Sequence, residues 1–351
     1  MSKLSQVDRN FQVPDYVEKE DLCYYDVNDP PFTVSGVSYE DGLFRRMPQS
    51  VAKQVSEGVL YLHANTSGGS VRFVTDSPYV AIHAVLDGVE LMSHMPLTGS
   101  CGLDLYVDGA YYGTFVPPAD LRDGFDHILE FQDARSREIL IHMPLYCNVK
   151  ELLVGLSQTA GILPPKAYGF EKPVVFYGHS ITQGGCASRP GNSYPNTLSR
   201  RLDADIINLG FSGSCRGERA MAQYIADLPM QALVMDYDHN APDLTHLTKT
   251  HEPFFKIIRE KNPELPVIFM TSTAQARCFD DRDGRKEVIR RTYENALGAG
   301  DQNVYFIDGS KIYDGCDGAT VEGCHANDLG FWLQANAVEN ILRKILRGET
   351  K

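Results

Sequence analysis

Ser180 stands in Gly178-His179-Ser180-Ile181, directly after the apolar run Val174-Val175-Phe176-Tyr177. A buried strand that breaks at a glycine and then presents a serine carries a hydroxyl to the carboxyl edge of a sheet, where α/β proteins bind ligands. Such a hydroxyl becomes a nucleophile only beside a base. His325 arrives near the C-terminus in Glu322-Gly323-Cys324-His325, with the Glu322 carboxylate three residues earlier on the same turn. Hydroxyl, imidazole and carboxylate are the nucleophile, base and orienting acid of triad chemistry.

Metal chemistry has less support. Eight cysteines are scattered without paired spacing and read as free thiols. Cys316, Cys324 and His325 complete no CxxC or HExxH ligand set. Asp236-Tyr237-Asp238-His239-Asn240 resembles the start of a calcium loop but lacks the required glycine and later glutamate. No metal and no organic cofactor is expected.

The elements that must position these residues fall into two halves. A chain of 351 residues with 43% hydrophobic residues is long enough for two cores. Short β-branched or aromatic runs punctuated by turn residues fill roughly residues 35 to 160: 59–64, 71–74, 79–85 and 103–107. Asp108-Gly109 is a hairpin signal, and 127–131 is expected to pair with 138–142. This half predicts an all-β sandwich or jelly roll over 1–165. After Pro164-Pro165 the pattern changes to apolar strands at 174–177, 206–209, 232–235, 267–270 and 304–307. Helical periods follow, the clearest at 217–228, 244–261, 285–297 and 329–346. Residues 166–351 therefore predict an α/β domain: a flavodoxin-like five-stranded parallel sheet with helices on both faces.

The polar residues of interest all follow strands. The first gives Ser180, the second Asn208-Leu209-Gly210-Phe211-Ser212-Gly213, the third Asp236 to Asn240, and His325 follows the fifth. A hydroxyl, a glycine N–H, a carboxamide and an imidazole at one rim make up the inventory of an acyl-transfer site. Types and order resemble the SGNH or GDSL hydrolase superfamily over residues 172 to 346. Gly102-Leu103-Asp104-Leu105-Tyr106 resembles the GxDLY signature of a β-rich domain that precedes some of these hydrolases. The resemblance implies Ser180 as nucleophile, and an oxyanion hole of the Ser180 N–H, the Gly213 N–H and the Asn240 side chain. His325 is the base and Glu322 the acid. Three positions depart from the family pattern: His179 stands where Asp or Ser is usual, Asp238-His239-Asn240-Ala241 replaces Gly-x-Asn-Asp, and Glu322 replaces an aspartate. If Glu322 fails to reach, a backbone carbonyl or Asp328 would orient His325.

Blander roles compete at each position. Ser180 can cap a helix, Gly213 can be a turn glycine and Asn240 can turn the chain before Pro242. His239, His246 and His251 share no helical face and read as structural, while His179 is open between gatekeeper and bystander. His179, His239 and Arg277 are the candidate substrate-proximal residues. A formal net charge of -13 argues against nucleic acid and anionic membrane surfaces. The N-terminus lacks an apolar signal core, so a cytoplasmic protein is expected; homo-oligomerisation stays open. The expected activity is a serine esterase removing a short acyl group, acetyl above all, from a small-molecule or oligosaccharide ester. The alternatives are a carbohydrate-binding protein with a decayed triad, a lipase or acylhydrolase of the same family, and a flavodoxin-like nucleotide binder. The last lacks a Walker lysine and a GxGxxG.

Overall fold

The computed structural model describes residues 6–8, 12–13, 17–273 and 280–349. The C-terminal half is built on a parallel sheet of β1 (Val174–Gly178), β2 (Ile206–Gly210), β3 (Ala232–Asp236), β4 (Val267–Met270) and β5 (Val304–Ile307). Their spatial order is β2-β1-β3-β4-β5, so the chain reverses direction across the sheet at β1 and leaves a crevice between the loops after β1 and β3. Helices cover both faces: α1 (Ser180–Gln183), α2 (Tyr194–Leu202), α3 (Arg219–Asp227), α4 (Leu244–Lys261), α5 (Arg282–Gly298) and α6 (Asp328–Leu346).

Period-two alternation explains why these strands read as unbroken apolar runs. Val175, Tyr177, Leu233, Met235, Val267 and Phe269 enter one core with α3, α4 and α5. Val174, Phe176, Val234, Ile268 and Met270 enter the opposite core with α2 and α6. Apolar side chains are needed on both sides, and apart from Asn208 in the edge strand β2 the polar ones stand at the strand ends.

The N-terminal half is β-rich; beside a small two-stranded sheet it holds two larger antiparallel sheets. One orders Leu22–Asp26, Asn148–Ser157, Tyr79–Asp87 and Gly124–Glu130; the other orders Ile162–Leu163, Ser70–Thr75, Arg137–His142, Leu103–Val107 and Ala110–Phe115. Val71, Phe73, Ile82, Leu105, Ile139, Ile141 and Val154 close one core between them. The Asp108-Gly109 hairpin forms as expected, with φ of 51° and 82° at its two central residues. Only glycine adopts such values without strain, and aspartate tolerates them.

Two sequence expectations fail here. Strand 124–130 pairs with Tyr79–Asp87, whereas 137–142 pairs with Ser70–Thr75 and Leu103–Val107; residues 131–136 cross between sheets instead of closing a hairpin. The run 59–64 is not a strand, since Glu57–Leu62 is helical. The Ser56 side chain accepts the Val59 N–H, and Val59 and Leu62, three apart, enter the core beneath β1 and β3. Burial against the other half overrides the β-rich composition of this run.

Candidate active site

Three turns at the carboxyl edge of the sheet deliver the chemistry. β1 ends at Gly178, where a Cβ would lie 2.0 Å from Thr182 Oγ1, so the strand turns into α1 without a side chain and presents Ser180 on its first turn. Ser180 Oγ lies 2.9 Å from His325 Nε2, and His325 Nδ1 lies 2.6 Å from Glu322 Oε1. The same carboxylate oxygen accepts the His325 backbone N–H at 3.0 Å. Glu322 therefore does reach the imidazole. Because Nδ1–H donates to a carboxylate, Nε2 carries the free lone pair and faces the serine hydroxyl. Burial alone would raise the Glu322 carboxyl, but the two N–H groups of His325 outweigh it and hold it below its ordinary value. Asp328, the alternative acceptor, is engaged elsewhere, on the backbone N–H and hydroxyl of Ser188.

The oxyanion candidates are donors that meet no acceptor among the described residues. Asn240 turns its Oδ1 onto the Cys215 N–H at 3.2 Å, which fixes the amide and leaves Nδ2 for another partner. Among the described residues, neither that Nδ2 nor the N–H of Ser180 or Gly213 meets a protein acceptor. Gly213 has a φ of 66°, a left-handed turn after β2 that glycine adopts without strain.

His179 and His239 lie beneath the rim, not on it. His179 is 1% exposed, and its Nε2 lies 2.9 Å from His239 Nδ1. A ring this buried does not act as a gatekeeper. Arg277 lies outside the described residues.

Two residues near the base were missed in the sequence. The ring centroid of His94, from the β-rich half, is 5.7 Å from that of His325. The buried thiol of Cys186 completes a group whose donor atoms lie within 4.8 Å of one another. Burial, with Glu322 nearby, pushes that thiol up to about 12, so it is a neutral, compact wall. His94 lies 231 residues from His325 in sequence and carries no local signal; Cys186 could have been suspected from its place six residues after Ser180.

The β-rich half holds the segment that follows Ser180 through its signature residues. Asp104 is fully buried and accepts from Arg189 at 2.6 Å and from the Gly191 N–H at 2.9 Å; Tyr106 receives a second Arg189 hydrogen bond. Gly191 permits this approach, because a Cβ there would come within 2.4 Å of the Tyr106 hydroxyl and 2.6 Å of Asp104 Oδ2. Nearer the serine, the Tyr146 hydroxyl donates to the Ser180 carbonyl, and Ser67 donates to that of Gln183.

Residues 171–343 match the GDSL-like lipase/acylhydrolase family, and residues 22–162 match the N-terminus of SGNH-hydrolase-type esterases known as GxDLY. Among solved structures, the chain is similar to a protein from Bacteroides ovatus described as a GDSL-like lipase, at 28% identity and a TM-score of 0.83, over 93% of this chain and 98% of that one. A salicylyl-acyltransferase from a tetracycline biosynthetic pathway shares the fold at 22% identity and a TM-score of 0.76, with the same coverage. So does an acetyl xylan esterase from the rumen bacterium Butyrivibrio proteoclasticus, at 13% identity and 0.60, again over 93% and 98%. No curated protein matches the chain.

Proposed function

Starting from a chain whose C-terminal half belongs to the GDSL-like lipase/acylhydrolase family and whose N-terminal half belongs to GxDLY, an ester hydrolase by that membership, we propose that it is a serine esterase acting on short acyl esters, acetyl above all, of carbohydrates. The observation that carries the reading is the chain of contacts from Ser180 Oγ through both nitrogens of His325 to Glu322. In this mechanism His325 Nε2 takes the Ser180 proton as Oγ attacks the ester carbonyl carbon, and Glu322 stabilises the imidazolium. The carbonyl oxygen becomes an oxyanion facing the N–H groups of Ser180 and Gly213 and the Asn240 amide. Collapse of the tetrahedral intermediate expels the alkoxide, which takes the proton from His325. Water, activated by the same Nε2, then releases the acid and regenerates Ser180.

The acyl and alcohol preferences rest on the surroundings of the base. His94 and Cys186 crowd His325, which favours a small acyl group, and exposed His94 offers a hydrogen-bonding partner to a hydroxylated leaving group. The likeness to an acetyl xylan esterase is in keeping with this reading. Fluorophosphonate labelling tests the nucleophile: the wild-type protein is expected to label at Ser180 and Ser180→Ala not at all. Acetate release from acetylated mono- and oligosaccharides tests the substrate. A labelled serine with no acetate release, but turnover of long-chain esters, would replace the carbohydrate reading with a lipase.

A further inference from the structure

Two of the departures from the family pattern, His179 and Asp238, have no part in the mechanism above, yet both reach the same nitrogen of His239. His179 Nδ1 accepts the Ile181 N–H at 3.3 Å, which leaves the ring proton on Nε2. That Nε2–H lies 3.2 Å from Asp236 Oδ1 and 2.9 Å from His239 Nδ1, so His239 accepts through Nδ1. The same nitrogen lies 3.4 Å from Asp238 Oδ1, while Asp238 Oδ2 takes the Ser272 N–H at 2.7 Å. Asp236 Oδ2 receives the Thr182 hydroxyl at 2.9 Å. Arg285 donates to the carbonyls of Asp238 and Ala241 at 2.8 and 2.9 Å, which frames Asn240 from both sides.

Two carboxylates this deeply buried need hydrogen-bond donors to offset their desolvation. His179 supplies one of these, its Nε2–H facing Asp236 Oδ1. Burial pushes His239 well below its ordinary value, so it remains a neutral acceptor. Burial raises the Asp238 carboxyl, while the Ser272 N–H that it accepts acts the other way. The arrangement also has a metal-like look, because His179, Asp238 and His239 place donor atoms within 4.8 Å of one another. The 2.9 Å nitrogen separation is a hydrogen-bond length, whereas two nitrogens on one tetrahedral zinc stand about 3.3 Å apart at ordinary bond lengths.

We propose that His179 and Asp238 form one positioning unit that fixes the Ser180 turn against the Asn240 loop, each present because of the other. The inference rests on the proposed roles of Ser180 and Asn240. It explains why an aspartate, one of the two residues usual at position 179, does not stand here: a third carboxylate would face Asp236 and Asp238 in the same buried space. It also makes the two departures interdependent, since removing Asp238 should make an aspartate at 179 tolerable.

A double-mutant cycle with p-nitrophenyl acetate tests this. His179→Asp is expected to lower kcat by about a hundredfold, comparable to losing an oxyanion donor, with KM changed by less than about threefold. Adding Asp238→Gly is expected to recover at least about tenfold of that loss. Affinity for a boronic acid that mimics the tetrahedral intermediate should fall and recover in step with kcat, which a merely structural defect would not produce. Should His179→Asp fail to fold by near-ultraviolet circular dichroism, His179→Asn serves instead: it keeps an acceptor for Ile181 but loses the Nε2–H, and about a tenfold loss of kcat is expected. The inference is overturned if the folded variant stays within about threefold of wild-type kcat, if the double variant is no better than His179→Asp, or if purified protein carries a stoichiometric metal that leaves on His179 substitution. An unlabelled Ser180 in the wild type would instead sink the nucleophile assignment. A labelled Ser180 with an uncoupled pair sinks this inference alone.

Discussion

Replacing Glu322 with glutamine tests the member of the triad at which this chain leaves its family. The carboxylate contributes charge and orientation, and the structure separates them. Glu322 Oε1 accepts from both Nδ1 and the backbone N–H of His325, so a glutamine oxygen held by the backbone N–H can still accept from Nδ1 and preserve the tautomer. The loss should then come mainly from the missing negative charge beside the imidazolium that forms in the transition state. At about 4 Å between charge centres that attraction is about 4 kcal/mol at an effective dielectric of about 20 and about 1 kcal/mol in bulk water. The two side chains are 25% and 40% exposed, so screening discounts the larger figure, and about 2 kcal/mol, or about thirtyfold in kcat, is expected. A triad whose amide flips and stabilises the wrong tautomer loses about ten-thousandfold, as in a serine protease with a buried aspartate. The assay is steady-state hydrolysis of p-nitrophenyl acetate at neutral pH, with a boronic acid inhibitor reporting on the oxyanion hole. Activity within about twofold of wild type would refute the claim that the carboxylate acts on His325. A ten-thousandfold loss would refute the claim that the backbone N–H fixes the amide.

Asn240→Ala should lower kcat by about a hundredfold with KM little changed; a change confined to KM would make Asn240 a substrate-positioning residue. Asp104→Ala leaves the Arg189 guanidinium and the Gly191 N–H without their buried acceptor. It should cost about 3 kcal/mol, read as a lower midpoint of the first transition in urea; an unchanged midpoint would mean that the two halves are held by other contacts. Activity on p-nitrophenyl esters should fall steeply from acetyl to octanoyl, and a flat profile would contradict the crowding assigned to His94 and Cys186.

The sequence by itself determined the parallel sheet, because a strand covered on both faces must be apolar at every position: 267–270 and 304–307 were legible to the residue. It also pointed to the residues of the proposed triad. A parallel sheet sends its polar residues to one edge, so Ser180 and His325 could be paired across 145 positions without knowledge of any contact. The departures from the family pattern were visible too, but not their meaning. Whether His179 faced substrate or the interior depended on what lay at 236, 238 and 239, on a different strand and loop. Tertiary structure alone decided that His94 would stand over the base and that 59–64 would coil into a helix beneath the parallel sheet. It also sent 124–130 and 137–142 to opposite sheets. The physical reason is common to these cases. Local sequence reports which side chains a segment must bury, whereas the partner that buries them is supplied by distant chain, and antiparallel strands that satisfy the same alternation can pair in several ways.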